Sequence, residues 1–321
     1  MHQTGHFHTF AERLFKSHPT RMWRREKDAF LSHCTSEFKT LGYDEGEITV
    51  RQDKNALGLI SHNLVVGKAD ADILITAHYD TPGRNGFLLF LNPIFGGALG
   101  SILLMVALML LVRLPDAYFV QNAISGTRLD LVFFILNAVI ALLFFGSFFL
   151  KNKRNHNDNT SGVIAVFRAA ELIAAHPELR ARVAFVLFDH EEILPGLLGS
   201  RAFSKWRRNH HPAKADGLVI NLDCVGVGDV LTVMTKHKHE DWHQISDFMQ
   251  GKGFQVKKVR GGLAGTSDHA VFSKGVSFLF QKRALLGPLY IPHIHSGRDR
   301  HCDLDQIDQL CTATIAYLQT S

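Results

Sequence analysis

The stretch VAFVLFDHEEILPGLLGS, residues 183–200, poses the central question of this chain. The apolar run 183–188 has the length and composition of a buried strand. It stops at four titratable side chains in a row: Asp189, His190, Glu191 and Glu192. Two adjacent glutamates at the end of a buried strand are costly to desolvate unless something positive meets them.

Working outward, other elements end in the same way. The strand predicted at 73–77 runs into His78, Tyr79 and Asp80, and the strand at 217–222 runs into Asp223. The stretch NDNTSG, 157–162, opens a predicted helix at 160–175 instead. PHIHSGRD, 292–299, lies in a loop after a strand at 276–281. Ligand sites in open α/β sheets lie beyond the carboxyl ends of strands. Convergent histidines and carboxylates there suit zinc or another borderline divalent ion. Each residue alone has an ordinary reading as well. Asp158 fits a helix N-cap, and Asp223 fits a strand end before a turn. The combination points to a metal.

Between these elements lies a predicted helix at 22–41, with Trp23, Phe30, Leu31, Cys34, Phe38 and Leu41 at helical spacing, stopped by Gly42. Strands follow at 48–52 and 57–66. Further on come a strand at 230–235 and helices at 240–250 and 304–318. Strands alternating with helices predict an α/β fold with helices on both faces of the sheet.

The pattern is interrupted once. Residues 87–112 and 131–150 are apolar and free of charge, and each run is long enough to span a hydrocarbon core of about 30 Å. The expected organisation is a single domain from 1–86 and 151–321, with 87–150 inserted as a hydrophobic helical hairpin that contacts membrane lipid in two spans. A buried helical pair is the competing reading. Arg84, Lys151, Lys153 and Arg154 flank the hairpin on the domain side, against Arg113 and Arg128 in its connecting loop. That bias predicts a membrane location with the catalytic domain on the cytoplasmic side.

The formal charge of +5 is spread along the 321 residues, and no nucleic-acid motif is present, so no nucleic-acid partner is expected. The N-terminus has no apolar core of signal-peptide length. Cys34, Cys224, Cys302 and Cys311 lack paired spacing, which predicts reduced thiols rather than a disulfide framework or a cysteine zinc site. Most of the 19 histidines are scattered; His237, His239 and His243 read as a solvated helix start, and His210 and His211 as a surface loop.

The ordered motifs resemble those of peptidase family M28, the co-catalytic zinc aminopeptidases. HYD stands at 78–80, DNTSG at 158–162, EE at 191–192 with GLLGS at 196–200, NLD ending at Asp223, SDH at 267–269 and HSGRD at 295–299. The resemblance covers 57–318 apart from the hairpin. It implies a zinc-exopeptidase fold, with a mixed, mostly parallel central sheet, and two zinc ions per chain.

The resemblance further implies that His78 and Asp223 bind one ion, Glu192 and His295 the other, and that Asp158 bridges them. Asp80 would hold the His78 tautomer. Glu191 would be the general base, taking a proton from the attacking water and passing it to the leaving amine. Asp268 would help to position the substrate, although a turn with a helix cap is an equal reading. The implied activity is hydrolysis of N-terminal residues from peptide substrates. Alternatives are a glutaminyl-cyclase-like acyltransferase on the same fold and a non-catalytic binding module. Four features depart from the family pattern, one being Asn157 before Asp158, where the family often has a small or acidic residue. The hairpin fills a gap that is usually short. Ile193, Leu194 and Pro195 lengthen the loop after Glu192. His293 and His301 compete with His295 as the late ligand.

Overall fold

The computed structural model describes residues 4–85, 89–97, 149–193, 196–261 and 267–320, with a few positions between 103 and 147. About half of the apolar runs 87–112 and 131–150 lies outside these residues, and the expected hairpin with it. Among the described residues, no helix is long and apolar enough to cross a membrane.

The chain opens with helices α1 (Thr4–Ser17) and α2 (Arg24–Thr40). Strands β1 (Ile48–Lys54), β2 (Ile60–Val66) and β3 (Ile73–His78) follow. After the insertion come α3 (Gly162–Ala174), α4 (Pro177–Arg182), β4 (Val183–Phe188) and α5 (Leu198–His210). The chain continues with β5 (Leu218–Leu222), β6 (Val230–Thr235), α6 (Glu240–Gly251) and β7 (Val256–Arg260). It closes with β8 (Gly275–Arg283), β9 (Leu289–Tyr290) and α7 (Leu304–Thr320).

The strands form one sheet in the order β1-β2-β4-β3-β5-β8-β6-β7, with β9 on β8. Its centre, β4-β3-β5-β8, is parallel. The antiparallel pairings β1–β2, β2–β4 and β6–β8 flank that centre. The sheet is therefore mixed, and its parallel strands are the ones that position the site.

Side chains alternate across the central strands, and the two faces bury different partners. Ile73, Ile75, Phe185, Leu187 and Ile220 share a core with Phe7 and Phe10 of α1, Phe30 and Phe38 of α2, and Phe167 of α3. Leu74, Ala184, Val186, Phe188 and Val219 pack on the other face with Phe203 of α5. This double burial explains why 183–188 is continuously apolar rather than alternating. Helix α1 was not expected from the sequence, although Phe7, Phe10, Ala11 and Leu14 recur at helical spacing and are buried.

The two ends of the insertion leave the domain side by side. Gly83 bridges Lys151, and the Arg84 N–H donates to the Leu150 carbonyl at 2.9 Å. Strands from before and after the insertion thus share one sheet.

Candidate metal centre

Strands β4, β3 and β5 are adjacent and parallel, and His78 pairs in register with Phe188. Neighbouring strands lie about 4.8 Å apart, so the residues after their carboxyl ends converge. His78 ends β3, Asp189 to Glu192 follow β4, and Asp223 follows β5. Asp158 arrives from the turn before α3, and His295 from the loop after β9.

Glycines allow the close approach. A Cβ on Gly162 would stand 2.2 Å from the Leu222 carbonyl, and one on Gly199 would stand 2.1 Å from the Asp189 carbonyl. The small residues of DNTSG and GLLGS are therefore what lets α3 and α5 start against these strand ends.

The result is three overlapping groups of donor atoms, each within 4.8 Å of one another: His78, Asp158 and Asp223; Asp158, Glu192 and His295; and His78, Glu191 and Glu192. His78 Nε2 is 3.5 Å from Asp158 Oδ1 and 3.7 Å from Asp223 Oδ1. His295 Nε2 is 3.0 Å from Asp158 Oδ2 and 3.4 Å from Glu192 Oε1. Asp158 thus presents one oxygen to each histidine. His293 and His301 do not join these groups and are exposed at the surface.

Both histidines are held from behind. His78 Nδ1 lies 3.2 Å from the main-chain oxygen of Asp80 and 3.5 Å from its carboxylate. His295 Nδ1 lies 3.0 Å from Asn85 Oδ1. Each contact fixes the ring so that Nε2 faces the carboxylates. The Asp80 carboxylate has a further task, accepting the N–H groups of Glu191 and Glu192 at 3.1 and 3.0 Å. It ties the double-glutamate turn to the end of β3.

The electrostatics show what this arrangement lacks. Burial, then the negative charges of Glu192, Asp268 and Asp223, push the Glu191 carboxyl well above its ordinary range, with His78 opposing. Burial and the charge of Asp158 raise Glu192 in the same way. Burial opposes protonation of His78 and His295, but the surrounding carboxylates outweigh it and raise both. The donor groups hold four carboxylates against two imidazoles. Divalent cations would balance that charge, so the residues present fit a metal site of nitrogen and oxygen ligands.

Asp189 is not part of the excess. Lys27 of α2 reaches Asp189 Oδ1 at 2.5 Å in a fully buried pair, and the His62 N–H donates to Oδ2 at 3.0 Å. Asp268 is buried near the site with neither carboxylate oxygen hydrogen-bonded. Burial pushes its carboxyl up to about 7. Ser200 bonds the Leu197 carbonyl at 3.2 Å. Residues 194 and 195 of the lengthened loop lie outside the described residues.

Residues 151–318 match peptidase family M28, just over half of the chain. The chain belongs to peptidase family M28. No curated protein matches it. Solved structures share its fold at low identity. The LapA aminopeptidase of Legionella pneumophila is 15% identical over 97% of this chain and 69% of that one, with a TM-score of 0.61. The glutaminyl cyclase of Porphyromonas gingivalis is 17% identical over 98% and 96%, with a TM-score of 0.59. A Zn-dependent exopeptidase of Parabacteroides distasonis is 12% identical over 98% of each, with a TM-score of 0.58.

In this M28 chain, three supporting residues escaped the sequence reading. Arg21 is fully buried beneath the site. It donates to the Tyr79 carbonyl, to the His18 carbonyl at 2.8 Å and to Thr160 Oγ1 at 2.9 Å. Asp299 accepts the N–H groups of Asn157 and Asp158 at 2.9 and 3.0 Å. Asn85 orients His295. Nothing in the spacing of Arg21 or Asn85 marks them, whereas Asp299 stood in the HSGRD motif without an assigned task.

Four residues around the site have left-handed backbones: His190 (φ 58°), Cys224 (φ 53°), His293 (φ 57°) and His295 (φ 56°). Such conformations cost on the order of 1 kcal/mol or more each. They mark places where the fold, rather than local preference, sets the side-chain direction.

Proposed function

We propose that the chain is a metal-dependent exopeptidase that removes N-terminal residues from peptides. The observation that carries this reading is Asp158, whose two oxygens face two separate histidine–carboxylate groups. That arrangement favours two ions with a shared carboxylate: His78 and Asp223 on one, Glu192 and His295 on the other. Two zinc ions there would supply an activated water and polarise the scissile carbonyl.

The remaining work falls to the chain itself. Glu191 stands against the same cluster but is needed by neither ion. Its carboxyl takes a proton from the attacking water and delivers it to the departing amine. Asp80 sets the direction of this carboxyl by holding its main-chain N–H. Asp268, buried and unpaired, lies where it can hold a polar group of the substrate.

Cyclisation of an N-terminal glutamine is the second reading, since the P. gingivalis cyclase shares this fold over nearly its whole length, as the P. distasonis exopeptidase does. Membrane anchoring through 87–150 belongs to the proposal as well. It rests on the charge-free runs and on the adjacent ends of that segment.

The test measures metal content and activity together. Purified protein is expected to hold close to two zinc ions per chain and to hydrolyse aminoacyl amides. Glu191→Gln is expected to keep the zinc and to lose activity by about 10²–10⁴-fold. Pyroglutamate formation without peptide hydrolysis would transfer the assignment to the cyclase reading. Undiminished hydrolysis by metal-free protein would rule out both.

A further inference from the structure

A cavity of about 750 Å³ lies beside the metal centre. Ile294 and Ser296, the two neighbours of His295, line it. So does Arg84, the neighbour of the Asn85 that orients His295. Its volume falls in the range of about 300–1,000 Å³ typical of small-molecule sites.

Two kinds of side chain meet there. Leu89, Phe90, Pro93, Leu150 and Ile291 give an apolar lining, while Arg84, Arg298 and Arg300 supply three guanidinium groups. Two of these groups lie against Gly297. Arg84 packs over Gly297, where an added Cβ would stand 3.1 Å from its Nη2. Arg300 Nε donates to the Gly297 carbonyl at 3.1 Å. Among the described residues none of the three pairs with a carboxylate, whereas Arg13, Arg24, Arg51, Arg168 and Arg180 all do. Three unneutralised arginines around one apolar cavity form a receptor for an anion carried on an apolar body.

We propose that this cavity binds the C-terminal side of short peptide substrates, with the free carboxylate on Arg84, Arg298 and Arg300 and an apolar side chain against Phe90 and Pro93. The inference rests on the exopeptidase reading and names its substrate class: short peptides with a free, apolar C-terminal residue. A peptide bond seated at the metal centre leaves the departing segment pointing away from the N-terminal residue. The cavity beside His295 receives that segment. The carboxylate contributes binding remote from the reacting bond, so its effect falls on KM more than on kcat.

The test compares leucyl-phenylalanine with leucyl-phenylalaninamide on the zinc-loaded full chain, following released leucine. The acid is expected to be preferred by roughly tenfold or more in kcat/KM, mostly through KM. Raising the ionic strength is expected to narrow that preference. Arg84→Gln with Arg298→Gln is expected to bring the acid-to-amide ratio close to one, and Arg298→Lys alone to leave part of it. Both arginines are exposed, so thermal unfolding close to wild type confirms that the variants fold. Equal hydrolysis of acid and amide by wild type overturns the proposal and leaves the exopeptidase reading standing. Hydrolysis of neither by zinc-loaded protein overturns both.

Discussion

Arg21 Nη2 donates to Thr160 Oγ1 at 2.9 Å, joining the segment before α2 to the turn that carries Asp158. The same guanidinium donates through Nε to the carbonyl of Tyr79, which lies between His78 and Asp80. Two segments of the proposed metal cage therefore hang from one buried cation. Burial lowers the Arg21 pKa to about 10, and nearby Cys34, Asp80 and Asp158 oppose the shift. The group stays charged at neutral pH.

Arg21→Met is expected to leave the Tyr79 and His18 carbonyls without their donor, at a cost of about 1–3 kcal/mol each before relaxation. It also frees two ligand-bearing segments, so zinc affinity is expected to fall by about 10–100-fold. Denaturant melts of the apo form, with zinc titration by competing chelator, measure both. Arg21→Lys tests geometry against charge: an ammonium cannot reach three acceptors in a fork. A variant with wild-type zinc affinity would show that Arg21 serves stability alone.

Asp299 holds Asp158 by a different device, two parallel N–H donors on one carboxylate. Burial pushes its carboxyl up to about 8, while those N–H groups work the other way. Asp299→Asn keeps the shape but turns an NH₂ towards one of the two donors. One buried N–H then faces another donor. The expected cost is about 1–3 kcal/mol, with weaker zinc binding and little change in core packing. Near-ultraviolet circular dichroism and zinc stoichiometry separate the two effects. Full zinc content with unchanged stability would count against this role.

Such supports explain how unevenly the sequence disclosed the site. The motif residues could be read because each stands at the end of an apolar strand or at a helix start, where a titratable side chain is conspicuous. His78, Asp158, Glu191, Glu192, Asp223 and His295 all fall in one cluster. Ser296 and Asp299 after it favour His295 as the late ligand but leave His293 open; the structure brings His295 to the cluster, held by Asn85. Arg21 and Lys27 act across the fold on groups far along the chain, and no local pattern encodes that. Strand β7, VKKVR, was missed because its half-exposed alternation carries charge rather than apolar bulk. Helix α5 is hard to read because it begins inside GLLGS, whose glycines weaken the helical pattern.

The N-terminal region predicts a pH dependence of stability. Burial, with the positive charges of His33 and Arg21, lowers His18 from 6.5 to about 4. Its ring stacks on His33 at 5.0 Å, and burial lowers His33 as well. The unfolded chain therefore takes up a proton at a higher pH than the folded chain. Stability from this group is complete above about pH 6.5, is lost as pH falls towards 4, and changes no further below that. His18→Gln is expected to flatten the fall in melting temperature between pH 7 and pH 5. Measuring the apo forms of both proteins removes the contribution of zinc release. An unchanged slope in the variant would assign the pH dependence to other groups.

The paired ends of the insertion allow a sharper test of what 86–148 does. Gly83 and Arg84 bond across to Lys151 and Leu150, so the domain already closes the gap through its own backbone. Replacing 86–148 by a short Gly-Ser linker costs little loop entropy, since closure scales only with the logarithm of length. Asn85 and the whole donor cluster remain. The excised chain is expected to fold and to bind zinc with the stoichiometry of the full chain. The full chain is expected to stay with membranes through an alkaline wash, and the excised chain to stay in the aqueous fraction. If the full chain washes free, the apolar runs do not anchor it. If the excised chain loses zinc as well, 86–148 is part of the support of the metal centre, a result that would join the apolar lining at Leu89 and Phe90 directly to the chemistry beside it.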